Sequence, residues 1–452
     1  MRAWRFGAIT VMELHFDPWP PRRILQLALV LPAFLLFTLN WQQTAGLALI
    51  MLAAELWLLP EWIGPSGGQI PGPSRAAMLA YPSAILALTL IFHHYLAAVA
   101  AAWALLAMGD GMAGAVGVTW GTHPLPFNRE KTWEGFTAFI AFGFPSALLL
   151  LVWVSGANAG LKAASISLAA AVAGAFVESL PVRLSDNVTV PLVCGCFIFC
   201  AGLVERASLD RNLPYLGIRI VLAVVVNAIF ALAALGAGQI TRSGAVAGFF
   251  LGAAVYMGFG YKSFLVLVAF FAMGVAATRL GYARKAERGI EERRRGARTW
   301  REALGNILAA SFFAVLVITT PYQSAFLMAL VAALAEAAGD TVASEIGKWR
   351  SPRAYLITSL KAVAAGVNGG VSLIGTAAGL GASGAVVLLA WALGLCWGWH
   401  AAVVLGAAFA GNLTDSVLGA TLERRGLLTN SVVNFLATGF AGALALAVAL
   451  HW

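Results

Sequence analysis

Apolar runs of bilayer-spanning length recur from one end of this chain to the other, the first near 24–39 and the last near 432–450. A helix needs about 20 predominantly apolar residues to cross the hydrocarbon core. Several runs are short or broken by glycine, and together they make roughly 12 to 15 spans. Charge is too scarce for water to be the solvent: 11% of the 452 residues are Asp, Glu, Lys or Arg, against about 25% in a soluble domain. The runs do not alternate apolar with polar residues as barrel strands do, so helices must satisfy the backbone inside lipid. The expected fold is all-α, a polytopic transmembrane helical bundle.

The net charge of +9 is unevenly spread, with eight Lys/Arg and three Glu between Arg284 and Arg301. Such a segment reads as a cytoplasmic loop. It is either an orientation signal alone or a basic surface that attracts an anionic substrate. Arg2, Arg5, Arg22 and Arg23 precede the first run, with no small-residue cleavage site. The expectation is an uncleaved chain in a prokaryotic-type plasma (inner) membrane, its active sites facing the cytoplasm. Nucleic acid is not among the expected partners. Cys194, Cys196, Cys200 and Cys396 have no His at ligand spacing and read as small buried hydrophobes.

A polar break ending in Pro214 marks two regions, 1–210 and 211–452. Both carry an acidic, Gly-rich island. The first has Gly109-Asp110-x-x-Ala113-x-x-x-Gly117, with Lys131 standing 21 residues after the Asp. The second has Gly339-Asp340-x-x-Ala343-x-x-x-Gly347, with Lys361 again 21 residues on. Gly174-x-x-x-Glu178-Ser179 and Gly411-x-x-x-Asp415-Ser416 follow in the same order. Duplication is the expected source of the shared order, as in many membrane proteins with central sites, with chance in so Gly/Ala-rich a chain as the alternative for part of it.

A carboxylate at membrane depth is costly and is retained for a function or a partner. Asp110 stands where the first island begins, at the end of an apolar run. Asp is a hard oxygen ligand suited to Mg²⁺, which takes one or two carboxylates and completes its shell with substrate phosphates. Gly109 and Gly111 would let backbone N–H groups approach an anion. Arg129 and Lys131 bring positive charge, and Asn128, Thr132 and Glu134 bring hydrogen-bonding groups. Glu178, Asp186 and Asn187 add a third acidic element able to hold metal or to accept a hydroxyl proton. In the second half, Glu336, Asp340 and Ser344 fall on one helical stripe with Glu345 beside it. Lys361 with the glycines around Asn368, Gly369 and Gly370 could cradle phosphate. Arg298, Asn306, Asn412 and Asp415 are further polar groups in or beside apolar runs.

Gly109-Asp110-Gly111, Pro126 to Gly135 and Asp186-Asn187-Val-Thr-Val-Pro191 together resemble the dolichol kinase/phytol kinase family, relatives of the phosphatidate cytidylyltransferases. The resemblance covers roughly residues 75–205. It implies phosphorylation of a polyprenyl alcohol with CTP. Where that family has a second Asp after Gly-Asp-x-x-Ala, this chain has Gly114, so Glu178 or Asp186 must supply the missing carboxylate or the activity of this half is altered. Arg298 to Asn306, Gly339 to Gly347, Val367 to Gly375 and Asp415 to Ala420 resemble the integral membrane family that includes phytyl-phosphate kinase, DUF92, over roughly 240–450.

The two resemblances imply a fused, two-step salvage kinase. The first half would phosphorylate a prenol of the phytol, farnesol or geranylgeraniol type with CTP or another NTP; the second would convert the monophosphate to the diphosphate. Asp110, Asp186, Asp340 and Asp415 are the expected Mg²⁺ ligands, Lys131 and Lys361 the phosphate-neutralising cations, and Glu178 or Asp186 the base. The lipid bilayer, the nucleotide and the prenyl lipids are the expected partners. A membrane cytidylyltransferase making a CDP-lipid and an ion-coupled transporter are the alternatives.

Overall fold

A computed structural model of the protein describes residues 27–57, 75–180, 184–351 and 353–451. The four N-terminal arginines lie outside the described residues. Among the described residues, ten helices are long and apolar enough to cross a membrane, and Leu79–Ile91 and Asp186–Gly202 are shorter apolar helices. The protein is the all-α polytopic bundle that its composition demands. Contacts divide it into two compact units, Met1–Gly202 and Leu203–Trp452.

In unit 1, α1 (Trp41–Trp57) and α2 (Arg75–Ile91) are followed by α3 (Leu96–Ala104), which is mostly alanine and buried from Ala98 onward. Small side chains let neighbouring helices approach closely. Trp103 Nε1, fully buried, donates to Tyr81 Oη at 2.9 Å. A π-helical turn, Leu105–Asp110, joins α3 to α4 (Gly111–Trp120). Asp110 therefore sits inside one continuous helical span, Leu96–Trp120, and not at the end of a span as its place after an apolar run suggests. The glycines there serve packing: a Cβ on Gly109 would lie 2.8 Å from the ring of Phe139. Then come α5 (Trp133–Ser155), α6 (Leu161–Ser179) and α7 (Asp186–Gly202). Cys194, Cys200 and Cys396 are buried and free, whereas Cys196, expected to be buried with them, is exposed.

In unit 2, the break that ends in Pro214 is part of a helix, α8 (Arg206–Gly236). One proline removes one backbone bond from an interior, and a helix of 31 residues keeps the rest. Next are α9 (Arg242–Phe259), α10 (Tyr261–Arg279), the short α11 (Tyr282–Glu287) and α12 (Trp300–Thr319). The core is α13 (Gln323–Arg350), buried continuously from Ala325 to Gly339. Around it pack α10, α12, α14 (Leu373–Ala392), α15 (Trp399–Leu418) and α16 (Asn430–His451). Between α13 and α14 the chain forms a three-stranded antiparallel sheet, β1 (Arg353–Leu356), β2 (Ala362–Ala364) and β3 (Gly370–Val371), in the order β2-β1-β3. Arg353 pairs with Ala364 and Tyr355 with Val371. Glycine at 366, 369 and 370 is too costly for a helix here.

Both units repeat one order of parts: a buried helix bearing a mid-helix Asp, an extended connection, and three further helices. The contact they share is between glycines. A Cβ on Gly135, in the first turn of α5, would lie 3.5 Å from Gly117 Cα; one on Gly375, in the first turn of α14, would lie 3.3 Å from Gly347 Cα. Thr132 caps α5 by accepting from Gly135 N at 3.2 Å, and Ser372 caps α14 by accepting from Gly375 N at 3.1 Å. Glu178 ends the next helix in unit 1, and Asp415 lies near the end of the next in unit 2.

Candidate functional site

The unit 1 site is built from the π-turn, the α4–α5 connection and the facing ends of α6 and α7. One carboxylate oxygen from each of Asp110, Glu178 and Asp186 lies within 4.8 Å of the other two. Glu178 from α6 and Asp186 from α7 thus bring two further carboxylates to Asp110. Lys131 enters the same cluster: its Nζ contacts Glu178 and donates to Asp186 Oδ2 at 3.0 Å. Burial would lower the Lys131 pKa, but Glu178 and Asp186 outweigh it and raise it, so the side chain stays a cation. Asn128 anchors the connection, donating to Ser179 O at 3.1 Å and accepting from Glu130 N at 3.1 Å.

The remaining expected residues of this half do local work. Thr132 is the α5 cap. Glu134 accepts from Thr122 Oγ1 at 2.8 Å and pairs with His123 Nδ1 at 2.6 Å, tying down the start of the connection. Arg129 is exposed, Asn187 half-buried beside Asp186, and Gly111 buried within α4.

In unit 2, a polar chamber of about 250 Å³ gathers Arg298, Asn306, Asp340, Ser344, Glu345, Asn368, Gly369, Gly370, Asn412 and Asp415. Lys361 does not join them. It is exposed, after Leu360 at φ 55°, and Leu356 N donates to its carbonyl at 3.0 Å. The lysine at the chamber is Lys348. The stripe of Glu336, Asp340 and Ser344 continues by one more step of four residues to reach it, and that step is the sequence signal that the matched Asp-to-Lys spacing obscures. Glu292, Glu302 and Glu423 also line the chamber, although their sequence context does not mark them for it.

Charge then decides what the chamber can hold. Glu292, Glu302, Asp340, Glu345, Asp415 and Glu423 face it, with Arg298 and Lys348 as its cations. Three of the acids are engaged. Glu302 closes a capping box on Thr299, accepting from Thr299 N at 2.5 Å. Glu292 and Glu345 accept from Lys348 Nζ at 2.8 and 3.2 Å. Burial would raise the Glu292 pKa, but the Lys348 ammonium outweighs it and holds the carboxyl below its ordinary value. Asp340, Asp415 and Glu423 remain. Asp415 Oδ2 and Asn434 Oδ1 are buried without a hydrogen-bond partner, and Asn434 Nδ2 donates to Asn306 Oδ1 at 3.0 Å. Unsatisfied hard oxygens amid excess carboxylate suit a divalent cation.

The glycine loop needs glycine at Gly366, where φ is +88°, and most stringently at Gly369. Gly369 has φ +73°, and a Cβ there would lie 2.2 Å from Ala420 N. Gly369→Ala is expected to lower the melting temperature of the solubilised protein by several degrees, since a strained non-glycine φ costs about 1–3 kcal/mol before any clash; differential scanning fluorimetry reads it.

Behind the chamber, Lys285 is fully buried, contacts Glu345, and donates to Thr278 O at 2.8 Å and Ala277 O at 3.2 Å. Lys285→Met leaves a buried carboxylate short of a partner, which costs about 3–5 kcal/mol. Thermal unfolding should show a loss larger than that of the exposed control Arg301→Met.

A family model described as integral membrane protein DUF92 matches residues 225–442. An uncharacterized membrane protein of Synechocystis sp. is 35% identical over 232 residues, 50% of this chain and 90% of the relative. Protein VTE6, chloroplastic, of Arabidopsis thaliana is 35% identical over 202 residues, 43% of this chain and 61% of that protein. Phytol kinase 1, chloroplastic, of the same plant is 33% identical over 99 residues; the match takes in 20% of this chain and 31% of the kinase. No solved structure matches the chain.

Proposed function

The chain belongs to the DUF92 family of integral membrane proteins, and from that premise we propose that it is a phosphotransferase acting on isoprenoid lipids. Unit 1 carries a prenol to its monophosphate, and unit 2 carries the monophosphate to the diphosphate. The phosphate donor is CTP or another nucleoside triphosphate. The observation that carries this reading is the unit 2 chamber, whose spare carboxylates and two cations suit a metal-bound polyphosphate. Likeness to a phytol kinase supports a prenol as the first acceptor.

Phosphoryl transfer asks a protein mainly for positioning and charge neutralisation. In unit 1, Lys131 is exchanged from its carboxylates to the incoming phosphates, which frees Asp186 or Glu178 to take the hydroxyl proton. The prenol oxygen then bonds to the γ-phosphorus as the bond to the β-phosphate oxygen breaks. In unit 2 the acceptor is already an anion, so no base is required. There Lys348 and Arg298 take the part that the spacing assigns to Lys361, and Asn368, Gly369 and Gly370 offer backbone groups to phosphate. Asn412 and Ser344 line the same wall. Asp110 with Asp186, and Asp340 with Asp415, are the residues that would hold Mg²⁺, which when bound neutralises charge on the transferring phosphoryl group.

A prenyl monophosphate keeps its tail in the bilayer, so joining the two activities in one chain raises the effective concentration for the second step. Purified protein with a prenol, CTP and Mg²⁺ is expected to yield prenyl mono- and diphosphate. Transport of prenyl phosphate across liposomes without nucleotide consumption would overturn the reading in favour of a carrier.

A further inference from the structure

A second, apolar cleft of about 70 Å³ lies among α8, α9, α10 and α12. Its walls are Phe230, Phe264, Leu267, Phe270 and Phe271, with Gly248 on one side. Phe230 meets Phe264 and Phe271 edge-on, with ring centroids 5.7 and 5.4 Å apart. Arg298, Glu302, Asn306 and Thr341 line both this cleft and the polar chamber. An apolar slot that opens onto a charged chamber across a shared rim fits one kind of molecule: an anionic head on a hydrocarbon chain. The outer faces of the same helices present Ile229, Val246 and Phe250, all exposed apolar residues suited to lipid. A chain in the cleft can therefore continue into the bilayer.

We propose that this cleft seats the head-proximal hydrocarbon of the lipid whose phosphate enters the unit 2 chamber, an assignment that rests on the phosphotransfer reading for its choice of head group. The cleft's size encloses the first part of a chain only. Phe230, Phe270 and Phe271 thus grip the segment next to the phosphate, and the rest of the tail stays in lipid. Arg298 stands at the junction, where it meets the head group as the tail enters. The pocket discriminates by how much proximal hydrocarbon it buries, at about 0.8 kcal/mol per methylene or nearly fourfold each.

Gly248 offers a clean way to close it. A Cβ at Gly248 meets nothing within 4 Å, so a larger side chain has room to start and fills the slot. The full-length protein in nanodiscs is tested with a long-chain prenyl phosphate carrying a diazirine on its first isoprene unit. Photolabel is expected within Asn227–Ala231 and Phe264–Gly274. Gly248→Phe should remove most of that label and lower the ratio of kcat/KM for a prenyl phosphate over methyl phosphate, which has no hydrocarbon to seat, about tenfold, the worth of one to two buried methylenes. Phe271→Ala, which widens the slot, should move the ratio towards bulkier proximal chains. Label spread over outward positions such as Val246 and Phe250, and unchanged by Gly248→Phe, would overturn the proposal. An unchanged ratio in both variants would do the same. If no acceptor is phosphorylated but the label still falls in the cleft, the phosphotransfer reading fails and the tail seat stands.

Discussion

Asp340→Ala is expected to turn a protein that makes prenyl diphosphate into one that accumulates the monophosphate. Asp340 projects from the middle of α13, the helix buried continuously just before it. It faces the chamber with Asp415 and Glu423, the acids left over once Glu302, Glu292 and Glu345 are paired. Removing it takes away a carboxylate that would hold Mg²⁺ against the negative charge of the transferring phosphoryl group. Loss of one such electrostatic partner costs about 10²–10³ in turnover. Asp340→Asn keeps shape and hydrogen bonding but not charge, so it separates ligation from packing: both variants should lose the second step, and Asn should keep the wild-type melting temperature. Mass spectrometry of the lipid extract reads the ratio of monophosphate to diphosphate. Undiminished diphosphate from either variant would mean that the second transfer does not occur in unit 2.

The complementary variant is Asp110→Ala. Asp110 closes a π-turn inside a helical span and faces Glu178 and Asp186 across a gap that one ion could bridge. Without it the cluster keeps two carboxylates already sharing Lys131, a set of net charge −1 with a weaker hold on a divalent cation. Phosphorylation of the prenol should fall by about 10²-fold or more. Diphosphate should still form when prenyl monophosphate is supplied directly, which rules out unfolding as the cause. If supplied monophosphate is not used either, the two sites do not act separately and the division of labour is wrong.

Much of the fold and of the unit 1 site is legible in the amino-acid sequence. Apolar run length and scarce charge specify the bundle, because helices and closed barrels alone satisfy a backbone in lipid and these runs lack the alternation of barrel strands. Asp110, Lys131, Glu178 and Asp186 stand out as charges in sequence otherwise fit for the bilayer, and they do converge. The positions that escape depend on three-dimensional facts. Lys361 matches Lys131 in spacing from its Asp, yet the sheet inserted between α13 and α14 carries it to an exposed turn. What the two units share is helix-to-helix contact at Gly117 with Gly135 and Gly347 with Gly375, which depends on packing and not on a fixed count. Glu292 lies in a basic segment that reads as a loop, and its role is set by Lys348, 56 residues away in the chain. Pro214 argues for a break and instead sits within α8.

The central claim is transfer of a γ-phosphoryl group to a prenyl lipid, twice. Wild-type protein is incubated with a prenol, Mg²⁺ and CTP labelled at either the α- or the γ-phosphate. Label from the γ-phosphate is expected in both the lipid monophosphate and the diphosphate, while α-label remains in the nucleotide. Alpha-label recovered in the lipid fraction would contradict it and identify a cytidylyl transfer.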